Sequence, residues 1–144
     1  MWLEITDKVI DLPGIFILKD NPITVGAWNI LASKRLFILW ILQKRYTVRD
    51  IKSGTELIGE KCTFSITDNF NDMHYCGHIS GKNENKLEKV LTVFTNGYRY
   101  IFGSEYVLLL TLRHTVPLHD YFILVCNIEK VLNFKGGEQW VRLP

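Results

Sequence analysis

The sequence predicts a mainly β fold: a single barrel-like or strongly curved antiparallel sheet with one or two short helices. Three observations predict it. Turn signals break the chain at short intervals, among them Leu12-Pro13-Gly14, Lys52-Ser53-Gly54, Asn96-Gly97, Val116-Pro117 and Gly136-Gly137. The runs between them are rich in Ile, Val, Thr, Tyr and Phe, which suit a pleated, half-buried surface. Asn96-Gly97 lies between two such runs, and both residues accept the positive φ that a two-residue hairpin turn demands. A length of 144 residues fits one domain spanning 1–144.

Along the chain, Asp20-Asn21-Pro22 reads as a helix start, with Asn21 capping and proline at the first position. Thr24, Val25 and Gly26 are poor helix formers, so residues 22–44 stay open between helix and strand. From Arg35 to Arg49 a long strand fits better, because Tyr46 and Val48 alternate with Thr47. Its apolar stretch Leu36–Leu42 implies cover on both faces, one of them by a helix or a second subunit, and hence a homo-oligomer. Trp2, Trp28, Trp40 and Trp140 favour the same reading, since tryptophan is enriched at interfaces.

A second hairpin is expected over Lys61–Ile79, turning at Asp68–Asp72 around Phe70. It would set Cys62 opposite His78, Phe64 opposite Cys76 and Ile66 opposite His74. Gly81–Lys86 reads as a polar loop tip. The clearest hairpin, Leu87–Phe102, pairs Thr95 with Tyr98, Val93 with Tyr100 and Leu91 with Phe102, and that face is expected to meet the core. Glu105–Thr115 and Tyr121–Ile128 lack polar alternation and read as strands buried on both faces. A helix capped by Asp120 is the alternative for the second.

Composition excludes several classes of function. Hydrophobic residues make up 47% and charged residues 22%, which argues against disorder. A net charge of +2 is too small for nucleic-acid binding by bulk electrostatics. Charge is concentrated locally: Lys34, Arg35, Lys44, Arg45, Arg49 and Lys52 face only Asp50 within residues 34–52. Three cysteines do not make a disulfide framework. No leader is visible at the N-terminus, and seven apolar residues fall short of the ~20 that span a bilayer. These features point to a cytoplasmic protein with reduced thiols and with neither a membrane nor extended nucleic acid as partner.

Candidate chemistry is sparse. In the expected hairpin, His74, Cys76 and His78 share a strand face and Cys62 lies opposite, a donor set that zinc accepts. On a straight strand, however, His74 and His78 sit about 13 Å apart, so the cluster is a weak metal site, and no cofactor is expected. Cys76 with a histidine gives two parts of a nucleophilic enzyme but no orienting third. His114, His119 and Asp120 read as a polar turn between buried strands. Arg45, Arg49, Arg99 and Arg113 supply cations for a small anionic ligand such as a nucleotide, with Tyr98, Tyr100 and Trp40 as stacking faces. Phe70, an apolar residue on a polar loop, reads as an anchor for a protein partner. Without catalytic spacing, the expected function is a non-enzymatic binding protein working through protein–protein contacts. An anionic-ligand pocket and a metal- or cysteine-dependent enzyme are the alternatives.

Overall fold

In the computed structural model, residues 12–27, 29–31, 36–41, 57–78, 84–117, 122–134 and 139–141 are described. The main sheet has eight strands: β1 (Leu12–Leu18), β2 (Asn21–Ala27), β3 (Asn29–Leu31), β4 (Leu36–Ile41), β5 (Lys61–Ile66), β8 (Tyr106–Pro117), β9 (Phe122–Asn133) and β10 (Gln139–Val141). Among the described residues between β5 and β8 are a helix, α1 (Phe70–His78), a 3-10 turn (Lys86–Glu88) and a separate hairpin, β6 (Thr92–Thr95) and β7 (Tyr98–Ile101). The sheet order is β2-β1-β5-β8-β9-β4-β3, antiparallel throughout, with β10 also pairing β9.

The sheet curls around one core. Phe16, Leu18, Cys62, Phe64, Leu108, Leu110, Leu112, Leu124, Cys126 and Ile128 line its inner face. The opposite face is also covered. Ile15 and Ile17 pack with Cys76 of α1, while Val107, Leu109 and Leu132 pack with Tyr98, Tyr100 and Phe134. Double cover explains why Val107–Leu110 of β8 form an apolar run without alternation. Along β9, Leu124, Cys126 and Ile128 are buried while Ile123, Val125 and Asn127 stay partly exposed, so the expected burial of that strand on both faces does not hold there. A mainly β, antiparallel sheet with a helix is as expected, but a closed barrel is not found. Among the described residues no ladder joins the outer strands β2 and β3.

Two expected elements are corrected. Asp20-Asn21-Pro22 does not start a helix. Lys19 and Asp20 take positive φ of 49° and 58° and turn β1 directly into β2. Pro22 is tolerated because β2 ends the sheet order, where a missing N–H costs no ladder bond. The Lys61–Ile79 hairpin is not formed either: after β5 the chain enters α1. The side chain of Asn69 accepts from the Asp72 N–H at 3.1 Å, an N-cap at the helix start. The pairings of Cys62 with His78, Phe64 with Cys76 and Ile66 with His74 therefore do not exist. Instead Cys62 pairs Leu110, Phe64 pairs Leu108 and Ile66 pairs Tyr106. Of the long strand over 35–49, Leu36–Ile41 forms β4, paired with β9 and β3.

The Asn96-Gly97 hairpin has the expected register, Thr95 with Tyr98 and Val93 with Tyr100. Gly97 takes φ +82°, which its lack of a side chain permits. The expected core face holds for Tyr98 and Tyr100 but not for Leu91 and Phe102, both exposed.

Candidate functional site

Two outward side chains of β5, Thr63 and Ser65, are polar yet fully buried, because they fasten the β6–β7 hairpin. Thr63 Oγ1 donates to the Arg99 carbonyl at 2.5 Å, and Ser65 Oγ accepts from the Ile101 N–H at 3.1 Å. With Tyr98 and Tyr100 packed on the sheet, alternation turns Phe94 and Arg99 the other way. They border a cavity of about 330 Å³ between the hairpin, the β1–β2 turn and the segment 59–62.

Three cations edge this cavity, each held by a partner. Arg99 Nε donates to Asp20 Oδ1 at 3.1 Å and its Nη1 to Thr92 Oγ1 at 2.9 Å. Its guanidinium lies 4.9 Å from the Phe94 ring centroid. Lys61 Nζ donates to the Asn96 carbonyl at 3.1 Å and sits 5.2 Å from the Tyr98 ring. Lys19 pairs with Glu60 at 3.7 Å. Against Asp20 and Glu60, these cations leave a surplus of one positive charge. Arg99 and Lys61 retain N–H donors beyond these bonds. Phe94, 59% exposed, adds an aromatic surface. Together these groups suit a phosphate or carboxylate carried by an aromatic compound.

The sequence-selected residues are dispersed by the fold. Arg99 reaches the cavity. Tyr98 and Tyr100 belong to the same hairpin but pack against the sheet, Tyr100 stacking on Phe134 with centroids 5.8 Å apart. Arg113 is exposed at an irregularity of the β8–β9 ladder, its Nη1 3.4 Å from Asn127 Oδ1. Trp40 stands in β4 opposite Ile123. Arg45, Arg49, His119 and Asp120 lie outside the described residues. Phe94, Lys61 and Lys19 were missed. The hairpin register carried a signal for Phe94, since it sits opposite Arg99.

The Cys/His cluster is not assembled. Cys62 lies in the inner core and Cys76 in the outer cluster. His74 and His78 do meet, as i and i+4 on α1, with ring centroids 4.0 Å apart and His78 Nδ1 2.8 Å from the His74 carbonyl. Among the described residues no three His, Cys, Asp or Glu side chains are grouped to hold a metal. Burial raises the Cys76 thiol to about 11, only partly countered by Lys86. That leaves little thiolate for nucleophilic work. Phe70 is not a loop tip: it opens α1 and is 82% exposed.

Lys86, placed by the sequence on a polar loop, is instead 2% exposed. Its Nζ donates to the Pro22 carbonyl at 2.7 Å and the Cys76 carbonyl at 3.0 Å. The ammonium thus caps the last turn of α1 and ties it to β2, where a cation also complements the helix dipole. Thr24 Oγ1 donates to the Met73 carbonyl on the same interface. Among the described residues no helix is long and apolar enough to cross a membrane.

No family model matches the sequence, and no curated protein matches it. Solved structures do share the fold. An FMN-binding protein from Thermus thermophilus with bound p-hydroxybenzaldehyde has a TM-score of 0.65 and 19% identity, over 89% of this chain and 76% of that one. Flavoredoxin from Methanosarcina acetivorans has a TM-score of 0.67 and 12% identity, over 96% and 81%. The flavin reductase HpaC complexed with NADP+ has a TM-score of 0.63 and 13% identity, over 90% of each chain. These neighbours overturn the expectation of a barrel that works through protein–protein contacts. The chain shares its fold with flavin reductases and FMN-binding proteins.

Proposed function

We propose that this protein binds a flavin nucleotide and serves flavin-dependent reduction. The observation that carries the proposal is the shared fold: nearly the whole chain superposes on proteins named for flavin binding or flavin reduction. The described cavity is chemically compatible. Arg99 and Lys61 would hold the phosphate, and Phe94 would border the ring system. Arg45 and Arg49 stay in the proposal as further cations for the same anion. When bound, the flavin supplies hydride and electron transfer. The chain's own part is to neutralise the phosphate and to give the ring an aromatic wall. A homo-oligomer built on the apolar run of β4 also belongs to this proposal, and light scattering of the purified protein checks it.

The test is a fluorescence titration with FMN, FAD and riboflavin. FMN and FAD are expected to bind more tightly than riboflavin, which lacks the phosphate. Arg99→Ala should weaken FMN about 10- to 100-fold, the equivalent of one hydrogen bond to a charged group, and leave riboflavin nearly unchanged. If none of the three flavins binds at millimolar concentration, the proposal fails.

A further inference from the structure

The inner core holds an arrangement that flavin binding does not use. Cys62 Sγ and Cys126 Sγ are 3.8 Å apart, and the residues are 2% and 0% exposed. They do not sit on neighbouring strands. Cys62 of β5 pairs Leu110, and Cys126 of β9 pairs Leu112, so β8 runs between them. In a flat sheet, strands on either side of a third lie about 9.6 Å apart, too far for thiol contact. The β8–β9 ladder explains the convergence. It has two irregularities, between Leu109 and Leu110 and between Leu112 and His114, and they bracket the segment that separates the thiols. Such bulges bend a strand and increase its twist, which draws inner-face side chains together. They are also enriched beside functional sites.

We propose that Cys62 and Cys126 form a redox-active dithiol, oxidised by hydrogen peroxide to a disulfide that staples β5 to β9 across β8. Cys62 is the partner nearer to solvent, 2% exposed against 0% for Cys126. Its thiolate attacks one peroxide oxygen, the O–O bond breaks, and Cys62 becomes a sulfenic acid as hydroxide leaves. The Cys126 thiolate then attacks the Cys62 sulfur and expels a second hydroxide. Two protons from the thiols convert both hydroxides to water, so the two sulfurs lose two electrons and peroxide gains them. Burial, the Cys126 contact and Glu60 hold the Cys62 thiol well above its ordinary value. The reaction is therefore slow, on the timescale of minutes to hours rather than seconds.

Bond formation brings the sulfurs from 3.8 Å to about 2.05 Å, and the movement acts on β8. Leu112 of β8 exchanges backbone bonds with the segment beside the cavity: its N–H donates to the Glu60 carbonyl at 2.9 Å, and its carbonyl accepts from the Gly59 N–H at 2.7 Å. Oxidation of the pair thereby reaches the cavity wall. Cys76, alone in the outer cluster, serves as an internal control.

The experiment incubates the folded, full-length chain with hydrogen peroxide and then blocks the remaining thiols under denaturing conditions. Intact-mass measurement should show the loss of two hydrogens and one blocked thiol instead of three. Proteolysis should recover a Cys62–Cys126 cross-linked peptide, with Cys76 blocked, and dithiothreitol should restore three free thiols. Cys76→Ser should cross-link as the parent does. Cys126→Ala should stop at a Cys62 sulfenic acid that dimedone captures. A cross-link involving Cys76, or three free thiols after prolonged exposure, overturns the proposal. So does a Cys62–Cys126 bond that forms only in denaturant. The measurement on the unsubstituted chain decides the matter even if the variants fail to fold, and it is independent of flavin binding.

Discussion

Lys86→Met removes a buried ammonium while keeping most of its stem, and the structure allows its cost to be worked out. The Nζ serves two carbonyls, those of Pro22 and Cys76, at 2.7 and 3.0 Å. Orphaning each buried carbonyl costs about 1–3 kcal/mol. Against this, the ammonium no longer has to leave water, a burden visible in the lowered pKa of Lys86. The net loss expected is about 2–4 kcal/mol, since only part of the two-carbonyl cost is offset. Urea unfolding should show a lower midpoint with an unchanged slope. The pH dependence gives a second signature. Lys86 holds its proton less tightly in the folded state than in the unfolded one, whose value is near 10.5. Its charge therefore costs stability at neutral pH, and the cost is relieved as pH rises through the folded value towards 10.5. The stability of the parent relative to Lys86→Met should climb over that window. A variant as stable as the parent would show that the α1–β2 junction does not depend on this cation.

Three further expectations follow from single sites. Gly14→Ala should destabilise by about 1–3 kcal/mol or prevent folding, because a Cβ there would lie 2.4 Å from Phe64 Cζ and 2.7 Å from the Ser65 carbonyl. Thermal unfolding checks it. The Cys76 thiol, at about 11 when folded against 9.0 unfolded, contributes stability present below pH 9 and lost as pH rises towards 11. Cys76→Ala should flatten that part of the alkaline profile; an unaltered profile would contradict the burial argument. Thr63→Val should loosen the β6–β7 hairpin by about 1–2 kcal/mol, since the Arg99 carbonyl loses its donor. Hydrogen exchange at Tyr98–Ile101 should then quicken more than exchange in β8.

The parts of the fold legible in the sequence are those fixed by local chemistry or by composition. Asn96-Gly97 set its own register, because a turn with two positive φ residues leaves little freedom. The strands β8 and β9 were visible because both carry unbroken runs of β-prone apolar residues, which cover on both faces explains for Val107–Leu110. Other elements depended on contacts far along the chain. The β1–β2 turn was hidden because Lys19 rarely takes positive φ, and Pro22 next to it resembles a helix start. Helix α1 was hidden because Asn69 and Asp72 serve equally as turn residues and as an N-cap with an acidic first turn. Reading that segment as strand carried the four Cys/His residues into a false cluster. The burial of Lys86 has no local signal, since its partners lie 10 and 64 residues away. At the cavity, Arg99 was legible as a cation of the hairpin. Lys19 and Lys61 were not, because the β1–β2 turn and the β5 register that bring them there were not foreseen.

The central claim is that this curled sheet holds a phosphorylated flavin. The most direct measurement is the thermal unfolding midpoint of the unmodified chain at increasing FMN. A ligand that binds only the folded state stabilises it by about 2.7 kcal/mol at one hundred times its dissociation constant. The account predicts a midpoint that rises steadily with FMN and responds less to riboflavin at equal concentration. A midpoint that FMN leaves in place over the whole series would contradict it.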